Sequence, residues 1–189
     1  LGIPVEEGFS LDKLPEPVTI REWNINSLPA DPFSIENATI LQRSKRWCLM
    51  VDPQGQANQF IRKMEGNKKL RVVKLSEDNY MRTIESAIQV GHPVLIENVG
   101  EELDAALNPI LLKSFVKQAG RLVLKLGEKD VDYDPAFRLY ITTKLSNPRF
   151  SPELQIKVTV VNFTVTRKGL EDQQLSDIVG FERLDLQED

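Results

Sequence analysis

The chemistry closest to the surface of this sequence is phosphate binding, in altered form. Residues Arg46–Gln59 run as an apolar stretch, a Pro/Gly turn and an amphipathic segment. A phosphate loop of the G-x-x-x-x-G-K-[ST] type uses its glycines for close approach. Its lysine reaches the β- and γ-phosphates and its hydroxyl binds Mg²⁺. Over that spacing Asp52 takes the first glycine position, Pro53, Gln54, Gly55 and Gln56 fill the interior, and Ala57 takes the second glycine position. Asn58 then stands for the lysine and Gln59 for the hydroxyl residue. An Asp52 carboxylate about 4 Å from a phosphate charge would repel it by roughly 4 kcal/mol at an effective dielectric near 20. The lysine charge that offsets repulsion and the hydroxyl that holds Mg²⁺ are both missing from the pattern. The same shape also fits a strand–turn–helix of another α/β protein that never held nucleotide.

A second apolar run, Val94-Leu-Ile, ends in Glu97-Asn98, where a phosphate-loop ATPase carries Asp for Mg²⁺ and often Glu for the attacking water. Glu97 keeps a charge for a metal, whereas Asn98 has no basic carboxylate to activate water. Each feature alone is commonplace; both fall in the proper order on one scaffold. Thr142-Thr143-Lys144 closes a later apolar run, where a polar sensor residue belongs in this kind of fold.

The elements that must hold these residues follow from periodicity. Strands are expected at Arg46–Val51, Leu70–Leu75, Pro93–Asn98, Phe137–Thr143 and Lys157–Phe163. Ala57, Phe60, Ile61 and Met64 recur at helical spacing, with Gly66 as the stop. Ser76 can cap a second helix with Tyr80, Ile84, Ala87 and Ile88 on one face and Gly91 at its end. Strand–helix–strand alternation with short loops implies right-handed crossovers and a parallel sheet, with ligands outside the carboxyl ends of the strands. Residues Arg121–Tyr133 alternate about Gly127, which predicts an inserted β-hairpin near 121–134. Pro4, Pro15, Pro17, Pro29 and Pro32 make residues 1–40 read as an irregular lead-in, with a helical turn or two near Val18–Trp23. The α/β core is expected over 41–168, and 169–189 as a charged amphipathic exit helix.

Composition narrows the classes. The 189 residues suit one domain, and 41% apolar with 28% charged residues is ordinary for a globular chain. A net charge of −4 with scattered Lys and Arg argues against nucleic-acid and anionic-membrane partners. The apolar runs are too short for a membrane span. One cysteine, Cys48, forms no intrachain disulfide and suits a reducing, cytoplasmic compartment. One histidine, His92, between Gly91 and Pro93, excludes a His-rich or Cys/His metal site, so no metal centre is expected. The chain starts at Leu1 without a signal-peptide pattern and reads as part of something longer.

Several runs together resemble one family. Ile20-Arg-Glu-Trp-Asn24, Ser34-Ile-Glu-Asn37, Val51–Asn58, Phe137–Pro148 and Val161-Asn-Phe-Thr-Val-Thr166 look like a dynein heavy chain. The likeness covers nearly the whole chain and points to the large subdomain of the fifth AAA+ module, after the microtubule-binding stalk. Ile-Thr-Thr-Lys-Leu-Ser-Asn-Pro looks more like the axonemal branch than the cytoplasmic one. The resemblance implies a three-layer α/β AAA+ fold with a mainly parallel five-stranded sheet and a place in a six-module ring. This module would not hydrolyse ATP, so no cofactor is expected here, with ATP and Mg²⁺ belonging to other modules of the parent chain. Implied partners are neighbouring modules, the stalk and its brace, microtubules indirectly, and light and intermediate chains through the parent, in the axoneme of a cilium or flagellum. A small subdomain and bracing coiled coil would follow residue 189. Arg149 and Lys157 are the implied basic-finger candidates toward a neighbouring module, although lysine lacks the arginine fork. Three functions remain: a mechanical module without turnover, a degenerate sensor that binds ADP or ATP, and an unrelated small α/β enzyme.

Overall fold

The computed structural model describes residues 14–118 and 120–164; the expected exit helix at 169–189 lies outside the described residues. Its centre is a five-stranded parallel sheet of β1 (Cys48–Val51), β2 (Arg71–Lys74), β3 (Val94–Glu97), β7 (Leu139–Thr143) and β8 (Thr159–Asn162), in the order β2-β3-β7-β1-β8. All five expected strands form, β1 and β7 shortened at the amino end alone and the others at both ends, and the sheet is wholly parallel. The apolar runs are continuous because the inner strands are covered on both faces.

Alternate residues of the strands feed two cores. Leu49, Val51, Val94, Ile96, Leu139 and Ile141 join one, with Ile84, Ala87 and Ile88 of α4 (Tyr80–Val90). Cys48, Met50, Leu95 and Tyr140 join the other, with Phe60 and Ile61 of α3 (Gln56–Glu65). The result is an α/β/α sandwich. Each fully buried Leu, Ile or Phe contributes about 1.5–3 kcal/mol relative to exposure.

From residue 14 onward the lead-in is more ordered than its prolines suggest. Helices α1 (Pro17–Ile25) and α2 (Pro32–Arg43) both place proline in the first turn, where its missing N–H removes no helical bond. Asp31 caps α2 by accepting from the Ser34 N–H at 3.1 Å. Trp23, Leu28, Ala38 and Leu41 bury against the second core.

Two helix signals also move. Gly66 continues right-handed into a 3-10 turn, and the chain reverses at Lys69, φ +60. The residue at the N-cap of α4 is Asn79, because Ser76 lies in a preceding turn. Gly91 does stop α4 at φ +73; a Cβ there would sit 2.8 Å from the Asp134 carboxyl.

The insert is larger than a hairpin. Strands β4 (Phe115–Gln118), β5 (Arg121–Leu126) and β6 (Lys129–Asp132) make an antiparallel three-stranded sheet, and Gly127 turns β5 into β6 at φ +62. Leu124, Leu126 and Val131 bury in the first core. A relay of ring contacts, Phe115–Tyr133, Tyr133–Phe137 and Phe137–Trp47, joins the insert to the strand that leads into the phosphate-like loop. A short α5 (Asn108–Leu111) precedes the insert, and α6 (Pro152–Lys157) precedes β8, so Lys157 ends a helix and does not begin a strand.

Candidate functional site at the carboxyl end of the sheet

Strand β1 ends where the Asp52 N–H donates to the Thr143 carbonyl at 2.9 Å, and the chain then turns through Pro53 and Gln54. Gly55 closes the turn with its N–H on the Asp52 carbonyl at 3.3 Å. Its φ of +80 suits glycine, and it forms the N-cap of α3 without offering a side-chain cap. The first amides of α3 therefore need another acceptor.

Asp52 supplies it. The side chain is 2% exposed, and Oδ2 accepts from the Asn58 N–H at 2.9 Å. Burial raises the carboxyl above its ordinary range; the amides of Asn58, Ala57, Gln56 and Gly55 pull the other way without cancelling it. Oδ1 is buried without a hydrogen-bond partner. The carboxylate thus lies inside the loop, at the start of the helix where an anion is stabilised.

The neighbouring polar groups bind one another. The Asn58 side-chain amide donates to Glu97 Oε1 at 2.6 Å, and Arg62 Nε donates to Asn58 Oδ1 at 2.8 Å. Arg62 also ion-pairs with Glu97. Burial would raise Glu97, but the hydrogen bonds from Asn58 and Arg62 and the charges of Arg62 and Lys74 hold it below the usual carboxylate range. A carboxylate kept ionised by two donors is a poor proton acceptor, so it is ill suited to general-base work near neutral pH.

A cleft of about 320 Å³ opens here, lined by Asp52, Gly55, Asn58, Arg62, Lys74, Glu97, Asn98, Thr142 and Lys144. It brings together the loop, the end of β3 and part of the sensor-like run. Thr142 is buried and donates weakly to the Ile96 carbonyl at 3.4 Å. Thr143 lines no part of the cleft; its hydroxyl donates to the Val99 carbonyl at 2.7 Å. Pro53, Gln54, Gln56, Ala57 and Gln59 shape the loop and helix from outside the cleft lining. Asn98 sits at φ +56, a left-handed conformation Asn tolerates.

The two finger candidates lie elsewhere. Lys157 Nζ donates to Asn108 Oδ1 at 3.0 Å and Glu153 Oε1 at 2.6 Å, which ties it within its own fold. The Arg149 residue is exposed, and its backbone N–H donates to Glu101 at 2.8 Å. Sequence reasoning missed Arg62 and Lys74. Arg62 stands four residues after Asn58, one helical turn on, and that spacing was a usable signal. Among the described residues no group of three or more His, Cys, Asp or Glu could hold a metal ion, and no helix is long and apolar enough to cross a membrane.

The fold defines an AAA+-type α/β domain with a parallel five-stranded sheet. Residues 21–189 match the family described as the ATP-binding dynein motor region, and the chain belongs to that family. It is 49% identical over 189 residues to human dynein axonemal heavy chain 6, covering all of this chain and 4% of that protein. Mouse dynein axonemal heavy chain 1 is 53% identical over 175 residues, 93% of this chain and 4% of its own length. The dynein-1-beta heavy chain of the flagellar inner arm I1 complex of Chlamydomonas reinhardtii is 48% identical over 188 residues, 98% of this chain and again 4% of its own length. The sequence thus spans about one twenty-fifth of these relatives.

Proposed function

We propose that this chain is a non-hydrolysing AAA+ module of an axonemal dynein motor. In this reading it is the large subdomain of the fifth module, carrying rigid-body motion between the ring and the stalk. The parent would be the ATPase and act on microtubules in the axoneme. Partners of this part are neighbouring modules and the stalk brace, with light and intermediate chains reached through the parent. Transmission of this kind needs packed elements with discrete arrangements and no local turnover. The exposed Ile25, Phe33 and Ile156 suit faces that meet neighbours in a ring.

The observation that carries the reading is Asp52, seated in its own phosphate-like loop with the Asn58 N–H on its carboxylate, beside a bonded Asn58–Arg62–Glu97 group. A thermal-shift titration of the 189-residue chain with ADP and ATP, with and without Mg²⁺, tests it. The expected result is no shift at millimolar nucleotide and no phosphate release. A second reading, a sensor that binds nucleotide without hydrolysis, is favoured by the open cleft with Lys74 and Lys144 on its wall. A saturable rise in melting temperature without turnover would select it, and release of phosphate would reject both.

A further inference from the structure

Resting on the reading of a site closed to nucleotide, we infer that Asp52 itself, and not the missing lysine, is the group that excludes oligophosphate, and that the cradle behind it still accepts an oligophosphate anion once that carboxylate is removed.

Three observations support this. First, the Asn58 N–H that a phosphate would take at the start of α3 already donates to Asp52 Oδ2 at 2.9 Å. A ligand phosphate must compete with a tethered anion for the same donor and also face its charge. Second, the carboxylate fits the cradle only in part. The residue is 2% exposed, yet Oδ1 is buried without a hydrogen-bond partner. Among the described residues no cation pairs with that oxygen, whereas the unbonded oxygen of the other buried acid, Glu65, has Lys68 Nζ 3.0 Å away. Third, the backbone needed for close approach is intact. Gly55 holds φ +80, and a Cβ built there meets nothing within 4 Å, so space above the loop is open. Lys74 and Lys144 add positive charge on the cleft wall.

Position 58 cannot account for the exclusion in the same way. The Asn58 side chain points to Glu97 Oε1 at 2.6 Å. A lysine there would meet the Glu97 carboxylate before it reached the cradle, and Asp52 would keep the Asn58 backbone donor.

The test uses the 189-residue chain and sodium tripolyphosphate as the probe, without Mg²⁺, read by ³¹P line broadening and by melting temperature. Wild type and Asn58→Lys are expected to show no saturable binding below millimolar probe. Asp52→Gly is expected to bind with a dissociation constant at least tenfold lower. Should Asp52→Gly not fold, Asp52→Ala serves instead, since it also removes the carboxylate and frees the Asn58 N–H. A cooperatively melting Asp52 variant that fails to bind overturns this inference alone and leaves the closed-site reading standing. Gain of binding by Asn58→Lys alone also overturns it, because the exclusion would then rest on the absent lysine. Saturable binding by wild type overturns the closed-site reading together with the inference.

Discussion

The two ends of the central sheet hold spaces of similar size, about 320 Å³ at the carboxyl end and about 370 Å³ at the amino end, yet they bury carboxylates differently. At the amino end Glu65 is 4% exposed and accepts from the Tyr140 hydroxyl at 2.8 Å; its other oxygen, buried without a hydrogen bond like Asp52 Oδ1, has the Lys68 ammonium 3.0 Å away. Trp23, Leu41 and Phe60 line the same space, so α1 and α2 are fixed to α3 and the sheet there. At the carboxyl end Asp52 has one oxygen in the helix start and the other unmatched. The difference separates two uses of a buried acid. Glu65 is met by a tyrosine hydroxyl and a lysine charge that tie parts of the fold together, whereas Asp52 is met by a backbone amide at the start of a helix, with no cation paired to it among the described residues.

The comparison can be broken most sharply at the amino end. Trp23→Ala removes a 4% exposed side chain that joins α1 to the second core. It should cost about 3–5 kcal/mol in urea unfolding. A loss below 1 kcal/mol would mean that the lead-in merely rests on the domain.

Tyr140→Phe tests the matching of Glu65 directly. The buried carboxylate would lose its hydroxyl donor, at an expected cost of about 1–3 kcal/mol. The Tyr140 hydroxyl is itself pushed well above its ordinary range, first by burial and then by the Glu65 charge. It should therefore stay protonated in alkaline ultraviolet titration until the chain unfolds.

Glu97→Gln probes the other end, where the acid side chain is 14% exposed and its Arg62 partner 48%. The expected cost is about 0.5–1.5 kcal/mol at neutral pH. Because the folded pKa of Glu97 is lowered, its contribution is complete above the ordinary carboxylate value near 4.3 and is lost as pH falls through the folded value. Urea midpoints of variant and wild type should converge toward pH 3. A constant gap would show that the carboxylate charge is not what Arg62 and Asn58 hold.

The smallest effect is one of slope. Asp52 has a raised folded pKa, so its ionisation costs stability as pH rises from about 3.9 through the folded value. It thus opposes Glu97 on the acid limb. In Asp52→Asn that opposition is gone, and stability should fall more steeply between about pH 5 and 3 than in wild type. An unchanged slope would place the Asp52 carboxyl in water and remove it from the cradle.

Much of the architecture is legible in the sequence. Cys48–Val51 and Val94–Ile96 are unbroken apolar runs, and only a strand covered on both faces needs that pattern. The alternation of 121–133 showed the insert, but β4 escaped because Phe115–Gln118 is mostly exposed and carries no clear period. The α2 helix was hidden for a different reason. Pro32 read as part of an irregular lead-in, while the meaningful signal was Asp31-Pro32, a capping residue before a first-turn proline. Lys157 was misplaced because the apolar run Val158–Val161 pulled the start of the expected strand two residues too early.

At the site, residue types and spacing along the chain fixed what was missing: no lysine at 58, no hydroxyl at 59, no second acid at 98. That much follows from local order, because the loop and its helix are contiguous. The sequence could not show that Asp52 turns back onto its own helix, that Arg62 bridges to Glu97 from another strand, or that Thr143 faces a carbonyl while Thr142 reaches the cleft. Those outcomes depend on the parallel register of β1, β3 and β7, which brings the strand ends at Val51, Glu97 and Thr143 to one edge. A carboxylate's partner, and with it the carboxylate's charge and role, is set by what lies across space; the chain alone supplies the groups and leaves their pairing to the fold.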